Sequence, residues 1–261
     1  MTSAEYLTTP ALGAVTGLRH GFFTRRGGVS AGPWAALNCS LSGQDDIEKV
    51  RENRRRAAAA LGLPATALHG LTQVHGIAVA TVEAAGWREG EGPRADALVT
   101  RHAGVMLGIV TADCAPVLFA DPVAGVIGAA HAGWRSAVGG VIEATIAAMV
   151  ALGALPSRML ASVGPCIGQP SYEVGADLRD AVLAREAAGA RHFAPGIRPG
   201  HWQFDLAGYC AARLAAAGVA VVETTGADTL AEETAFFSHR RRTLAGGGPI
   251  GHQLSAIAVP A

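Results

Sequence analysis

Two histidines and one cysteine stand in three short stretches whose residue types suit chemistry. These are Gln73-Val74-His75-Gly76, Thr111-Ala112-Asp113-Cys114-Ala115-Pro116 and Ala130-His131-Ala132-Gly133-Trp134-Arg135. Imidazole nitrogens and a thiolate can hold a transition metal. A cysteine beside a histidine can instead be an activated nucleophile. The same residues can also be inert, the thiol as a small hydrophobe and each ring as a hydrogen-bonded core group. What separates these readings is whether the three side chains meet in space.

The chain between the last two stretches says how they could meet. Residues 105–120 and 126–131 are β-rich apolar runs, separated by Asp121-Pro122-Val123-Ala124-Gly125. Proline suits the second position of a tight turn and glycine can supply φ > 0, so the two runs read as a hairpin. A loop of Pro122 and Val123 alone sets Cys114 opposite His131, with Cβ atoms about 4.5–5.5 Å apart. A four-residue loop keeps them on one face as diagonal neighbours. An odd-length loop without a bulge separates them, because a one-residue slip turns a strand's side chains over.

Further elements surround this hairpin. A strand is expected over residues 19–25, then a Gly-rich loop and a helix over 46–61 with an acidic first turn, stopped near Gly62 and Pro64. Residues 68–82 alternate as a strand or hairpin around His75, and 97–100 form another strand. After Trp134 the period becomes helical, with Val138, Val141, Ile142, Thr145 and Met149 on one face and Gly153 at the end. Short strands at 160–163 and 219–224 enclose helices at 176–185 and 205–217, and 253–259 is a final strand. Hairpins and strand–helix–strand units together imply an α+β fold: a single domain over residues 1–261, with a mixed β-sheet and helices packed outside it.

Composition narrows the function classes. The chain has 261 residues, half of them hydrophobic, and 21 basic residues balance 21 acidic ones. A neutral chain has no electrostatic footprint for nucleic acid or an anionic membrane, so neither is expected as a partner and a small molecule is. The apolar region 105–132 is interrupted by Asp113 and Asp121 and reads as a buried hairpin, not a membrane span. Cys39, Cys114, Cys166 and Cys210 are scattered without a C-x-x-C pair, which suits reduced thiols in a cytoplasm. No basic segment followed by an apolar core marks the N-terminus as a secretory signal. Oligomeric state leaves no mark in one sequence.

The three stretches, in this order, resemble the YfiH family, also called the multicopper polyphenol oxidoreductase or peptidoglycan-editing-factor family. Thr24-Arg25-Arg26-Gly27-Gly28-Val29-Ser30 with Leu37-Asn38 is similar to its N-terminal signature. Glu52-Asn53-Arg54-Arg55, Asp96-Ala97-Leu98-Val99-Thr100, Gly164-Pro165-Cys166-Ile167-Gly168 and Tyr172-Glu173-Val174 continue the pattern. Phe236-Phe237-Ser238-His239-Arg240-Arg241 closes it, so the resemblance runs from roughly residue 20 to residue 258. Four positions depart from it: Ser136 and His239 stand for glycine and tyrosine, Glu223-Thr224 for Cys-Thr, and Gly251-His252 for Gly-Arg.

The resemblance implies that His75, Cys114 and His131 bind zinc and carry catalysis on purine nucleosides. The implied reactions are phosphorolysis of adenosine, inosine and methylthioadenosine, and deamination of adenosine. Three protein ligands leave a zinc position open, which favours a catalytic over a structural site, and zinc can lower a bound water's pKa to about 7. Phosphate then needs a cationic seat. Arg25 beside Gly27-Gly28, and Arg135 four residues after His131 at a helix start, are the candidates. His69 and Asp113 are weaker ligand candidates, and Asp113 should instead hold the strand end, because its side chain alternates away from Cys114. Glu173 is a possible proton shuttle. The H-x-E with P-C-x-x-C signature of zinc nucleoside deaminases is absent.

Two rival chemistries remain. The set of two histidines and one cysteine also suits copper, with Met106 as an axial partner. A multicopper oxidase, however, needs paired histidines, and none of the nine forms H-x-H. The second rival is a cysteine hydrolase editing cell-wall precursors, with Cys114 as nucleophile and His131 as base.

Overall fold

The computed structural model describes residues 3–261; Met1 and Thr2, which the single-domain reading includes, lie outside the described residues. The chain is a mixed α/β structure built on two large sheets. The first part contributes β1 (Tyr6–Leu7), β2 (Arg19–Phe23), β3 (Leu68–His69), β4 (Val79–Thr81) and β5 (Ala97–Thr100). The centre contributes β6 (Met106–Thr111), β7 (Ala115–Asp121) and β8 (Val126–Ala132). After these come β9 (Leu160–Val163), β10 (Glu173–Val174), β11 (Phe193–Pro195), β12 (Trp202–Phe204), β13 (Val221–Thr224) and β14 (Gln253–Ala258). One sheet has the order β1-β2-β14-β6-β3 and the other β13-β9-β7-β8-β5-β4, with β10-β12-β11 a small third sheet. Both large sheets mix parallel and antiparallel pairs.

Alternation explains how the large sheets stack. Leu107 and Ile109 of β6 and Ile257 of β14 pack against Leu118 of β7 and Ile127 and Ala129 of β8, forming an apolar layer between the sheets. The opposite residues of each strand face outward onto helices. The one mixed sheet expected from sequence is therefore two, because β6 and β7 are consecutive in the chain yet belong to different sheets. The chain crosses from one to the other at Ala112-Asp113-Cys114, where Asp113 takes the left-handed φ of 82°.

Helices cover the outer faces. After the four-residue α1 (Pro10–Gly13), helix α2 (Ile47–Ala60) starts where Asp46 accepts a hydrogen bond from the Glu48 N–H. Val50, Ala57 and Ala58 are buried on its inner side, and Ala57 and Ala58 pack toward Met106 and Leu254 of the first sheet. The helix expected after Trp134 is two, α3 (Trp134–Gly139) and α4 (Val141–Ala151), broken where Gly140 adopts φ 109°. Val141, Ile142, Thr145, Ile146 and Met149 form the buried stripe of α4 against the second sheet. The remaining helices are α5 (Ala176–Arg185), α6 (Leu206–Ala216, capped by Asp205) and α7 (His239–Leu244).

The hairpin register decides the site. Asp121 pairs with Val126 and Pro116 with His131, so the loop has four residues and Cys114 lies diagonal to His131. The strand or hairpin expected over 68–82 does not form as one continuous element. Only β3 and β4 at its two ends are extended, and His75 sits in the loop between them at φ 58°. That loop's N–H groups are satisfied by a carboxylate rather than by a neighbouring strand.

Candidate active site

The carboxylate is Asp96, immediately before β5. It accepts from the backbone N–H of His75 (2.9 Å), Gly76 (2.6 Å) and Val74 (3.2 Å), and from Nδ1 of His131 (2.8 Å). One buried side chain thus holds the loop that carries one histidine and orients the ring of the other. A carboxylate on Nδ1 fixes the proton there and leaves the Nε2 lone pair free. Burial alone would raise the Asp96 carboxyl, but His131 and the Gly76 and Val74 N–H groups outweigh it and hold it below the usual range.

His75, Cys114 and His131 meet: one potential ligand atom from each lies within 4.8 Å of the other two. Cys114 Sγ is 3.8 Å from His75 Nε2, and the two imidazole rings are 4.8 Å apart at 74°. Two nitrogens and a sulfur converging this closely fit one zinc ion or one copper ion, with room for a further ligand on the cavity side. Gly133 makes the approach possible. A Cβ there would lie 2.9 Å from His75 Cδ2 and 3.0 Å from Cys114 Sγ. Among the described residues this is the one cluster of three or more metal-capable side chains.

The four thiols differ sharply. Burial would raise the Cys114 thiol, but His131 and then His75 outweigh it and lower its pKa. Burial would likewise lower His131, and Cys114 with Asp96 raises it instead. Burial pushes Cys39 up to about 12 and raises Cys166 and Cys210 as well, so those three stay protonated.

Asp113 does what its alternation implied. Its carboxylate accepts from the Thr229 hydroxyl (2.6 Å), the Ser238 hydroxyl (3.0 Å) and the Arg240 N–H (2.6 Å), tying the entry to Cys114 to the C-terminal segment. Ser136 closes the other side by donating to the His131 and Gly133 carbonyls.

The cluster opens into a cavity of about 770 Å³, within the size range of small-molecule sites. Trp134, Arg135, Tyr172, His239, Arg240 and His252 line it beside the cluster. Arg135 lies 4.4 Å over the Trp134 ring, and no carboxylate pairs with it among the described residues. Arg240 donates from both terminal nitrogens to the Glu173 carbonyl at 3.1 Å and lies 5.4 Å over the Tyr172 ring. Arg54, deeper in the wall, is neutralised by Glu89 at 2.7 Å. The carboxylate lining the cavity is that of Asp113, whose oxygens are already taken. The cavity is therefore cationic although the chain is neutral.

Other sequence candidates sit elsewhere. Arg25 does not line the cavity. It donates to the Ala35 carbonyl (2.7 Å) and the Glu233 carbonyl (3.2 Å) and stacks 4.5 Å over Phe237, so it fastens the N-terminal loop. His69 is buried against Trp87 with Nδ1 3.1 Å from its carbonyl. The Glu173 carboxylate binds Arg198 at the surface, away from any proton-transfer position in the cavity. Met106 is buried in the core behind α2. Arg241 is committed to the carbonyls of Thr229, Leu230 and Phe236. The positioning role of Asp96 and the cavity places of Tyr172, Arg240 and His252 emerge only from the fold. No helix among the described residues is long and apolar enough to cross a membrane.

The chain is similar to known proteins along nearly its whole length. Residues 19–260 match the family model described as "Multi-copper polyphenol oxidoreductase laccase". A Deinococcus radiodurans protein named purine nucleoside phosphorylase is 46% identical, over 92% of this chain and 89% of its own. The Escherichia coli protein named purine nucleoside phosphorylase YfiH is 37% identical, over 84% of this chain and 86% of its own. The crystal structure of Neisseria meningitidis protein NMB0706 superposes with a TM-score of 0.84 at 35% identity, covering 100% of this chain and 99% of that one.

Proposed function

We propose, from the premise that this chain belongs to the multi-copper polyphenol oxidoreductase laccase family that includes the YfiH proteins, that it is a zinc-dependent purine nucleoside phosphorylase. Its substrates on this reading are adenosine, inosine and methylthioadenosine with phosphate, and adenosine deamination is a secondary activity. The whole chain acts as one domain, which the continuous family match and the shared apolar layer between the sheets support. The relatives named purine nucleoside phosphorylase supply the reaction class. The observation that carries it is a His-Cys-His cluster opening into a cavity where the Arg135 and Arg240 guanidinium groups have no carboxylate partner among the described residues.

In phosphorolysis a phosphate oxygen bonds to C1′ of the ribose as the C1′–N9 bond breaks and the base leaves with the electron pair. A zinc ion, when bound by His75, Cys114 and His131, would supply Lewis acidity at the inner end of the cavity. Arg135 and Arg240 hold the phosphate, their planar guanidinium groups matching its oxygens and neutralising its charge. The stacked Trp134 and the carbonyl of Glu173 keep both guanidinium groups aimed while leaving donors free. Asp96 and Asp113 hold the two halves of the cluster in register.

Glutamine at Arg240 should raise the KM for phosphate about tenfold, the effect of one lost charge-assisted hydrogen bond, with the nucleoside KM little changed. Glutamine at Arg25 should leave both unchanged. Equal effects of the two variants would contradict the assignment.

A second reading draws on the lowered Cys114 thiol and raised His131, which also suit a cysteine hydrolase. The readings part on metal. Chelator-treated protein should lose nucleoside cleavage and regain it with added zinc, whereas a hydrolase relying on Cys114 alone would keep its activity.

A further inference from the structure

Four histidines line the cavity, and three have a ring nitrogen engaged. His131 Nδ1 is held by Asp96, His239 Nε2 by Arg242 at 2.6 Å, and His75 Nε2 faces Cys114. His252 differs. Its backbone is fixed, the N–H donating to Asn38 Oδ1 (2.9 Å) and the carbonyl accepting from the Cys39 N–H (3.0 Å). Its ring has no partner: Nδ1 is buried without one, and among the described residues no donor or acceptor reaches Nε2. Nε2, unlike Nδ1, is not closed off, so the ring presents an unpaired and reachable nitrogen on the cavity wall, where a ligand can meet it.

We propose that His252 reads the purine base and accepts 6-amino and 6-oxo purines alike, because no protein group fixes its tautomer. The two substituents differ by exchanging a donor for an acceptor. A histidine whose second nitrogen is pinned can serve only one of them, since the pinned atom decides which nitrogen carries the proton. With Nδ1 unpaired in either tautomer, Nε2 meets an oxo group as N–H or an amino group as lone pair at little difference in cost. The ring stays neutral, since burial, with His131, His239 and Arg242 nearby, lowers its pKa to about 4. It is thus suited to an uncharged base rather than to the phosphate that Arg135 and Arg240 would take.

This inference rests on the purine nucleoside reading, so its test uses binding rather than turnover. Calorimetry would give dissociation constants of adenine, hypoxanthine and unsubstituted purine for the zinc-loaded protein, for His252→Phe and for His252→Gln. In His252→Phe, adenine and hypoxanthine should each weaken about tenfold while unsubstituted purine changes less than about twofold. His252→Gln, which keeps a donor and an acceptor, should recover most of the loss for both. Three bases weakening alike would make His252 structural, and a wild-type preference above about a hundredfold for one of adenine and hypoxanthine would pin its tautomer; either result overturns the proposal. So would unchanged binding in His252→Phe, or no binding to the wild type. Phosphorolysis itself could fail with this result intact, because no phosphate or turnover enters the measurement.

Discussion

At the residue scale, two buried carboxylates do most of the positioning. Asp96 serves His75 and His131 together, so Asp96→Asn should weaken zinc binding about 10- to 100-fold while the protein stays folded. Competition with a chromophoric chelator reads this directly, and unchanged affinity would remove Asp96 from the site. Gly133→Ala forces a methyl group against His75 and Cys114 and should lower zinc affinity too, an overpacking cost of about 1–3 kcal/mol. The hairpin turn between Cys114 and His131 is legible in sequence, although its loop length is not, and the full donor set with His75 comes from the family resemblance. Asp96 carries no such mark. Its partners lie 20 to 35 residues away in a loop and on another strand, and their approach depends on pairing that local pattern does not encode. Arg25 is the reverse case: a Gly-rich neighbourhood suggests an anion site, and in the fold the guanidinium meets the Ala35 and Glu233 carbonyls and the Phe237 ring.

At the scale of elements, the β7–β8 hairpin must hold its four-residue register to keep Cys114 and His131 on one face. Asp121 secures it, accepting from the Val123, Ala124 and Leu155 N–H groups and pairing with Arg158 at 2.9 Å while fully buried. Removing this buried acceptor leaves backbone N–H groups without a partner while Arg158, one-third exposed, stays hydrated, so Asp121→Ala should destabilise by about 1–3 kcal/mol in urea unfolding. Burial alone would raise its carboxyl, but the Leu155 and Ala124 N–H groups and Arg158 hold it below the usual range. A lowered folded value means the stabilisation is fully present above the unfolded carboxyl's pKa of about 4 and is lost as pH falls through the folded one. The stability gap between wild type and Asp121→Asn should therefore be widest at neutral pH and shrink below about pH 4. A gap constant down to pH 2 would contradict this. Element types at 97–100, 160–163 and 176–185 follow from the sequence pattern and match the observed bounds. The stretch 68–82 does not, since its alternation serves a loop wrapped on Asp96; nor does the helix after Trp134, which Gly140 divides.

At the scale of the whole molecule, a neutral chain concentrates cationic groups in one cavity. Sequence charge alone could not show this, because Arg135 and Arg240 come from separate segments that only the fold brings to one cavity. The stacking of two sheets, with the chain crossing between them at Asp113, brings β7, β8, the His75 loop and the C-terminal segment to one end of the molecule. Zinc-dependent phosphorolysis requires that end to bind metal, nucleoside and phosphate at once. The most direct measurement is chromatography of the products formed from adenosine by zinc-loaded protein, with and without phosphate. Adenine and ribose 1-phosphate in equal amounts, formed only with phosphate present, is the expected result. Adenosine left intact under both conditions, or adenine released equally without phosphate, would contradict phosphorolysis at this site.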